Sequence, residues 1–153
     1  MQITYLSYFL ASIITYLGLL LGVILIKLAP EEQKPGKKYF ILIKKILFFL
    51  IIVLILFFYK VNIILTTILL FFMIISILNK KLRLEKTYLV YFLLGIVFYL
   101  SAKIFNLFVI ESVLIFLFGV PTSSLIFKRN NYYDIFIKNL WFFIPIISLY
   151  LIL

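Results

Sequence analysis

The chain has 153 residues, 67% of them hydrophobic and only 13% charged, with 15 Lys and Arg against 5 Asp and Glu for a net charge of +10. Soluble domains carry about a quarter charged residues, so the composition excludes a soluble enzyme and points to one membrane-embedded domain over residues 1–153. Cysteine and histidine are absent, which removes disulfides, thiolate nucleophiles, imidazole bases and most zinc or haem sites, and no metal or cofactor is expected.

Crossing about 30 Å of hydrocarbon takes roughly 20 helical residues, fewer where flanking side chains snorkel. The first apolar segment, Ile3 to Leu28, lacks a basic flank and is too long for a signal-peptide core of about 7 to 15 residues, so it reads as a retained helix. Ala11, Thr15, Gly18, Gly22 and Ala29 recur on one of its faces. Small side chains let backbones approach, so this face is expected to pack a helix of the same chain or of a second copy. Glu31 to Lys38, bracketed by Pro30 and holding Pro35 and Gly36, reads as a loop that no continuous helix crosses.

The second span is predicted over Tyr39–Tyr59, with Lys44 and Lys45 near its start. Only Lys60-Val61-Asn62 separates it from the third, Ile63–Leu78, and so short a link implies an antiparallel hairpin. After the basic stretch Asn79–Lys86, Thr87 is placed to cap a fourth span ending near Ala102, and a fifth runs from Leu107 to Phe127. Asp134 is placed to cap the last, Ile135–Leu153, with Pro145 as its candidate kink.

Lys27, Lys34, Lys37, Lys38, Lys44, Lys45, Lys80, Lys81, Arg83, Lys86, Lys128, Arg129 and Lys138 fall in or beside alternate gaps, against Lys60 and Lys103 on the other side. Lys and Arg resist translocation, so the basic gaps are expected in the cytoplasm and both termini outside. Tyr5, Tyr8, Tyr39, Tyr59, Tyr88, Tyr132, Tyr133, Trp141 and Tyr150 lie near span ends, where amphipathic rings favour the headgroups. The predicted fold is an all-α bundle of six transmembrane helices arranged as three hairpins, in a multi-pass protein of the cell membrane. Its expected partners are the bilayer and anionic lipids, contacted by Lys37, Lys38, Lys44, Lys45, Lys80, Lys81, Arg83, Lys128 and Arg129. A homo-oligomer or a larger membrane complex stays open, and nucleic acid is not expected because no soluble groove accompanies the charge.

Glu111 is the one acid well inside a predicted span, and an intramembrane ionisable group costs roughly 2.5 to 3.5 kcal/mol on insertion scales, which makes it a functional candidate. It either handles a proton or cation, or reaches the outer headgroups and pairs with Lys103 or Lys60. Ser112, Ile115, Gly119, Thr122 and Ser123 extend its face down the helix. Pro121 there either opens a polar site, as in broken transporter helices, or makes a kink whose hydroxyls bond their own backbone. Thr66 and Thr67 lie at a depth similar to Glu111 and are expected as its hydroxyl partners.

The segment Ala29-Pro30-Glu31-Glu32 with Pro35-Gly36-Lys37-Lys38-Tyr39-Phe40 resembles small uncharacterised integral membrane proteins of archaea, a resemblance that implies no activity. Two functions follow as expectations: a transporter or transporter subunit for a proton, cation or small solute, or a non-catalytic scaffold of a larger complex. A lipid-modifying enzyme using Glu31, Glu32, Glu85 and Asp134 is the remaining alternative, and an enzyme is not expected.

Overall fold

The computed structural model describes residues 4–78, 86–127 and 131–151, and its regular elements are all helical among them. They are α1 (Tyr5–Tyr16), α2 (Gly18–Leu28), a 3-10 turn (Pro30–Glu32), α3 (Gln33–Phe58), α4 (Ile63–Leu78), α5 (Thr87–Ser101), α6 (Phe105–Ile126), α7 (Tyr132–Ile135), a second 3-10 turn (Lys138–Phe142) and α8 (Phe143–Leu151). Four stretches are long and apolar enough to cross a membrane: Tyr5–Leu28, Pro30–Phe58, Phe105–Ile126 and Tyr132–Leu151. α5 is a shorter apolar helix of 15 residues.

Local chemistry explains most of the boundaries. The Thr4 hydroxyl caps α1 by accepting from the Ser7 amide. At the far end of α3, Val61 N–H donates to the Leu56 carbonyl and Lys60 N–H to the Phe57 carbonyl, the paired bonds of a Schellman stop. That stop needs a left-handed residue, and Lys60 supplies it with φ 48°. The Asn62 side chain then accepts from Ile64 N–H and starts α4, so the link between α3 and α4 is built from two caps back to back.

Three boundaries differ from expectation. α3 begins at Gln33, six residues before Tyr39, because Pro35 falls in its first turn, where a helix has no use for the missing N–H. The loop is thereby reduced to the 3-10 turn Pro30–Glu32. Thr87 is the first residue of α5 rather than its cap; the cap position is Lys86 and makes no side-chain bond. The last segment is not one helix: α7 gives way to a 3-10 turn before α8 starts at Phe143. Asp134 therefore lies inside α7, paired with Lys138 at 2.5 Å, and Pro145 sits in the first turn of α8, where it is tolerated rather than kinking.

The helices pack around α6. α2 runs parallel to it, Gly18 lying against Phe116 and Gly119, and Gly22 against Val120 and Ser123. α3 runs antiparallel, since Gln33 reaches Ser124 and Phe127 at one end of α6 while Phe48 meets Phe118 further along. α5 is antiparallel as well, with Tyr91 against Phe118 and Phe98 against Phe108. α8 lies beside α1, Tyr8 meeting Tyr150 and Tyr16 meeting Phe142 and Phe143. The core mixes aliphatic side chains with the rings of Tyr8, Tyr91, Phe98, Phe108, Phe118 and Phe142, and Tyr8 belongs to it rather than to the interface: it is buried, donates to the Ile146 carbonyl and contacts Phe98 and Phe108.

Candidate functional site

α6 presents one unbroken stripe to the interior: Leu107, Phe108, Glu111, Ile115, Phe118 and Thr122 are all buried. The spacing of three and four keeps them on one face. Glu111 is 0% exposed, and neither of its carboxylate oxygens has a hydrogen-bond partner among the described residues. It is the seventh residue of α6, about 9 Å along the helix at 1.5 Å per residue. The parallel register set by Tyr8 against Phe108 and Gly18 against Phe116 brings α1 around Ala11 and Ser12 to its level. Phe98 and Phe108, edge to face at 5.0 Å, lie toward the start of α6 from Glu111.

The expected partners of Glu111 are engaged elsewhere. Thr66 donates to the Val61 carbonyl and the exposed Thr67 to the Ile63 carbonyl, and α4 packs chiefly on α3. Ser112 donates to the Phe108 carbonyl at 2.6 Å. The Lys103 ammonium lies over the Tyr99 ring at 5.9 Å. A buried carboxyl left without donors is costly, so it is held in place by packing rather than by pairing.

α6 runs through Pro121 without a break. Its hydroxyls bond carbonyls one turn back: Thr122 to Phe118, Ser123 to Gly119, Ser124 to Val120. Ser124 also reaches the Gly22 carbonyl of α2 at 3.4 Å. Pro121, Thr122 and Ser123 are thus buried in a helix contact and do not open toward Glu111. Ala11, Thr15, Gly18 and Gly22 all face inward: Thr15, Gly18 and Gly22 are buried and Ala11 packs on the core. The glycines meet α6 of the same chain.

The basic residues divide. Lys37 and Lys38 are exposed near the start of α3 and Lys45 is half-buried. Lys44 is not a lipid contact: it is 5% exposed, and its ammonium sits over the Phe118 ring at 5.6 Å, about 16 Å along α3 from Gln33. Aromatic faces attract a cation most strongly where water is excluded. Lys80, Lys81, Arg83, Glu85, Lys128 and Arg129 lie outside the described residues.

One residue with a structural role escaped the sequence reading. Gln33 Nε2 donates to the Ser124 carbonyl at 2.9 Å and the Phe127 carbonyl at 2.7 Å, satisfying acceptors that the last turn of α6 would otherwise leave orphaned. Its only sequence signal is a lone amide in a charged stretch. Gln33→Leu is expected to cost about 1 to 3 kcal/mol, the price of two unpaired carbonyls, read as an earlier unfolding midpoint in mixed micelles. Glu at this position, lacking the donor, is expected to cost at least as much.

The chain matches no protein-family model, no curated protein sequence and no solved structure.

Proposed function

We propose that this is a multi-pass protein of the cell membrane that moves a proton or small cation across the bilayer through Glu111, alone or as a subunit of a larger transporter. The observation that carries this reading is the buried carboxyl with two unpartnered oxygens. A group of that kind is expensive inside a membrane and earns retention where it binds what it cannot find within the protein. Pro121 and its neighbouring hydroxyls play no part in this reading, because their bonds are internal to the helix contact.

The reading includes six crossings with both termini outside. Helix directions support it: Lys34, Lys37 and Lys38 lie near the end where Gln33 meets the last turn of α6. Lys60 and Lys103 lie at the opposite end, where the Tyr59 hydroxyl donates to the Leu100 carbonyl. The exposed lysines at the crowded end fit anionic headgroups, at about 1 kcal/mol each. A cysteine introduced at Lys37 is expected to react with an impermeant thiol reagent only after cells are opened, and reaction in intact cells contradicts this orientation.

Transport itself is tested in proteoliposomes carrying a pH or cation gradient. Wild-type protein is expected to dissipate the gradient and Glu111→Gln to abolish that flux. Absence of flux in the wild type, or equal flux in the two, rejects the reading. The scaffold alternative has one observation in its favour, that α4 rests chiefly on α3 and leaves Ile63, Ile64, Ile68 and Phe71 exposed for other membrane helices. It predicts co-purification with a larger complex in mild detergent.

A further inference from the structure

Two charged side chains are buried among the described residues, Glu111 and Lys44, and the transport reading uses only the first. Lysines near a membrane surface usually snorkel, burying the stem and keeping the ammonium in water. Lys44 does not: it is 5% exposed, well inside α3, and its ammonium lies over the Phe118 ring at 5.6 Å. A cation buried in a spanning helix is about as costly as a buried acid, which makes it a functional candidate on the same grounds as Glu111.

Phe118 ties the two charges to one route. It belongs to the buried stripe of α6 that carries Glu111, and the seven residues between them return the helix to the same face about 10 Å further on. At this level Phe48 of α3 and Tyr91 of α5 both pack on the Phe118 ring, at 6.2 and 6.0 Å, so α3, α5 and α6 meet there. Any route through the interior between Glu111 and the basic end crosses that layer. Packed helices stand about 8 to 10 Å apart, so an ion crossing it comes within about that distance of the Lys44 ammonium. The other titratable groups nearby are Tyr91 across the ring, Lys45 beside Lys44 on α3 and the exposed Glu31 and Glu32 in the turn before it; α4 carries none, and α6 none besides Glu111.

We propose, on the reading of Glu111 as the transport site, that Lys44 is the selectivity element of its path, turning back metal cations and passing protons, which narrows the substrate to the proton. Two like unit charges about 8 Å apart at an effective dielectric of about 20 disfavour each other about thirtyfold, and a sodium ion cannot discharge the ammonium. A proton need not pass it. Lys44 Nζ releases one proton to the Glu111 carboxylate through water admitted to the gap, leaving an amine and a carboxylic acid, and the amine regains a proton from the basic end. The lysine is then an ammonium again, and one proton has moved with no other bond changed. Midway through this cycle two opposite charges have become two neutral groups, the form that a low-dielectric interior favours.

Proteoliposomes with the membrane potential clamped test this, with proton and sodium permeabilities read by separate dyes. Wild type is expected to be about thirtyfold or more as permeable to protons as to sodium. Lys44→Met, which keeps the length and removes the charge, is expected to admit sodium about thirtyfold faster than wild type. Lys44→Arg, which keeps the charge and does not give up its proton, is expected to go on excluding sodium while its proton flux falls about tenfold or more. A wild type that passes sodium as readily as protons overturns the proposal and needs no variant. So does a monodisperse Lys44→Met protein that still excludes sodium, or Lys44→Arg with wild-type proton flux. Failure of the Glu111 reading shows separately, as proton flux that persists in Glu111→Gln, and a wild type without proton flux ends both.

Discussion

Gly18→Ala is expected to lower the unfolding free energy by about 3 kcal/mol, and Gly18→Leu to leave no monodisperse folded protein. A Cβ at Gly18 falls 2.0 Å from the Phe116 carbonyl oxygen, and one at Gly119 falls 2.6 Å from the backbone of Gly18. Both obstacles are main chain, so no side chain can swing aside and the whole α2–α6 contact must widen. In a membrane this matters more than in water, because lipid solvates an exposed apolar face as well as another helix does, and association depends on close packing. Widening also strands the Ser124 hydroxyl's reach to the Gly22 carbonyl. Gly36 is the control: a Cβ there meets only the outer edge of the Phe40 ring at 3.0 Å, and Gly36→Ala is expected to stay within about 1 kcal/mol of wild type, the range of helix propensity. The check is the unfolding midpoint of each variant in mixed micelles; equal midpoints for Gly18→Ala and Gly36→Ala contradict the packing account.

The small-residue face of the first helix was legible before the structure, because small residues at three- and four-residue spacing carry their own physical reason, but its partner α6 was not. Legible too was the short link after α3, where three residues between apolar runs leave room for little more than one helix stop and the next start. What the sequence hid depends on rotation and on tertiary partners. Lys44 and Lys45 are neighbours with the same chemistry, yet one faces Phe118 inside and the other is half-buried; no charge count contains that phase. Gln33 caps a helix 91 residues away, a role visible only once α3 and α6 lie antiparallel. Pro35 misled because a proline in the first turn of a helix reads, without coordinates, like a proline in a loop. The last segment is one membrane-length stretch, as its hydropathy suggested, but its 3-10 turn, where Phe142 meets Phe98 of α5, leaves no mark in hydropathy. Thr66 and Thr67 were matched to Glu111 by depth alone, and depth does not say which neighbour α4 lies against.

Glu111 offers the second large effect, and the sign of its stability change separates function from structure. If the carboxyl were half of a structural ion pair, removing it would leave a buried charge exposed to nothing and cost roughly 3 to 5 kcal/mol. With no partner for either oxygen among the described residues, the opposite is expected: Glu111→Leu relieves a buried polar group and raises stability by about 1 to 3 kcal/mol, while Glu111→Gln, which keeps the shape, stays near wild type. Both remove the only group on that stripe able to carry a cation, so both are expected to reduce flux to the level of protein-free vesicles. Stability gained together with activity lost is the signature of a group kept at the expense of the fold.

The most direct test of this account measures unfolding midpoint and proton flux on the same preparations of wild type, Glu111→Gln and Glu111→Leu. The predicted result is flux only in the wild type, with Glu111→Leu at least as stable as the wild type. A Glu111→Leu protein that is markedly destabilised, or either variant sustaining wild-type flux, contradicts it.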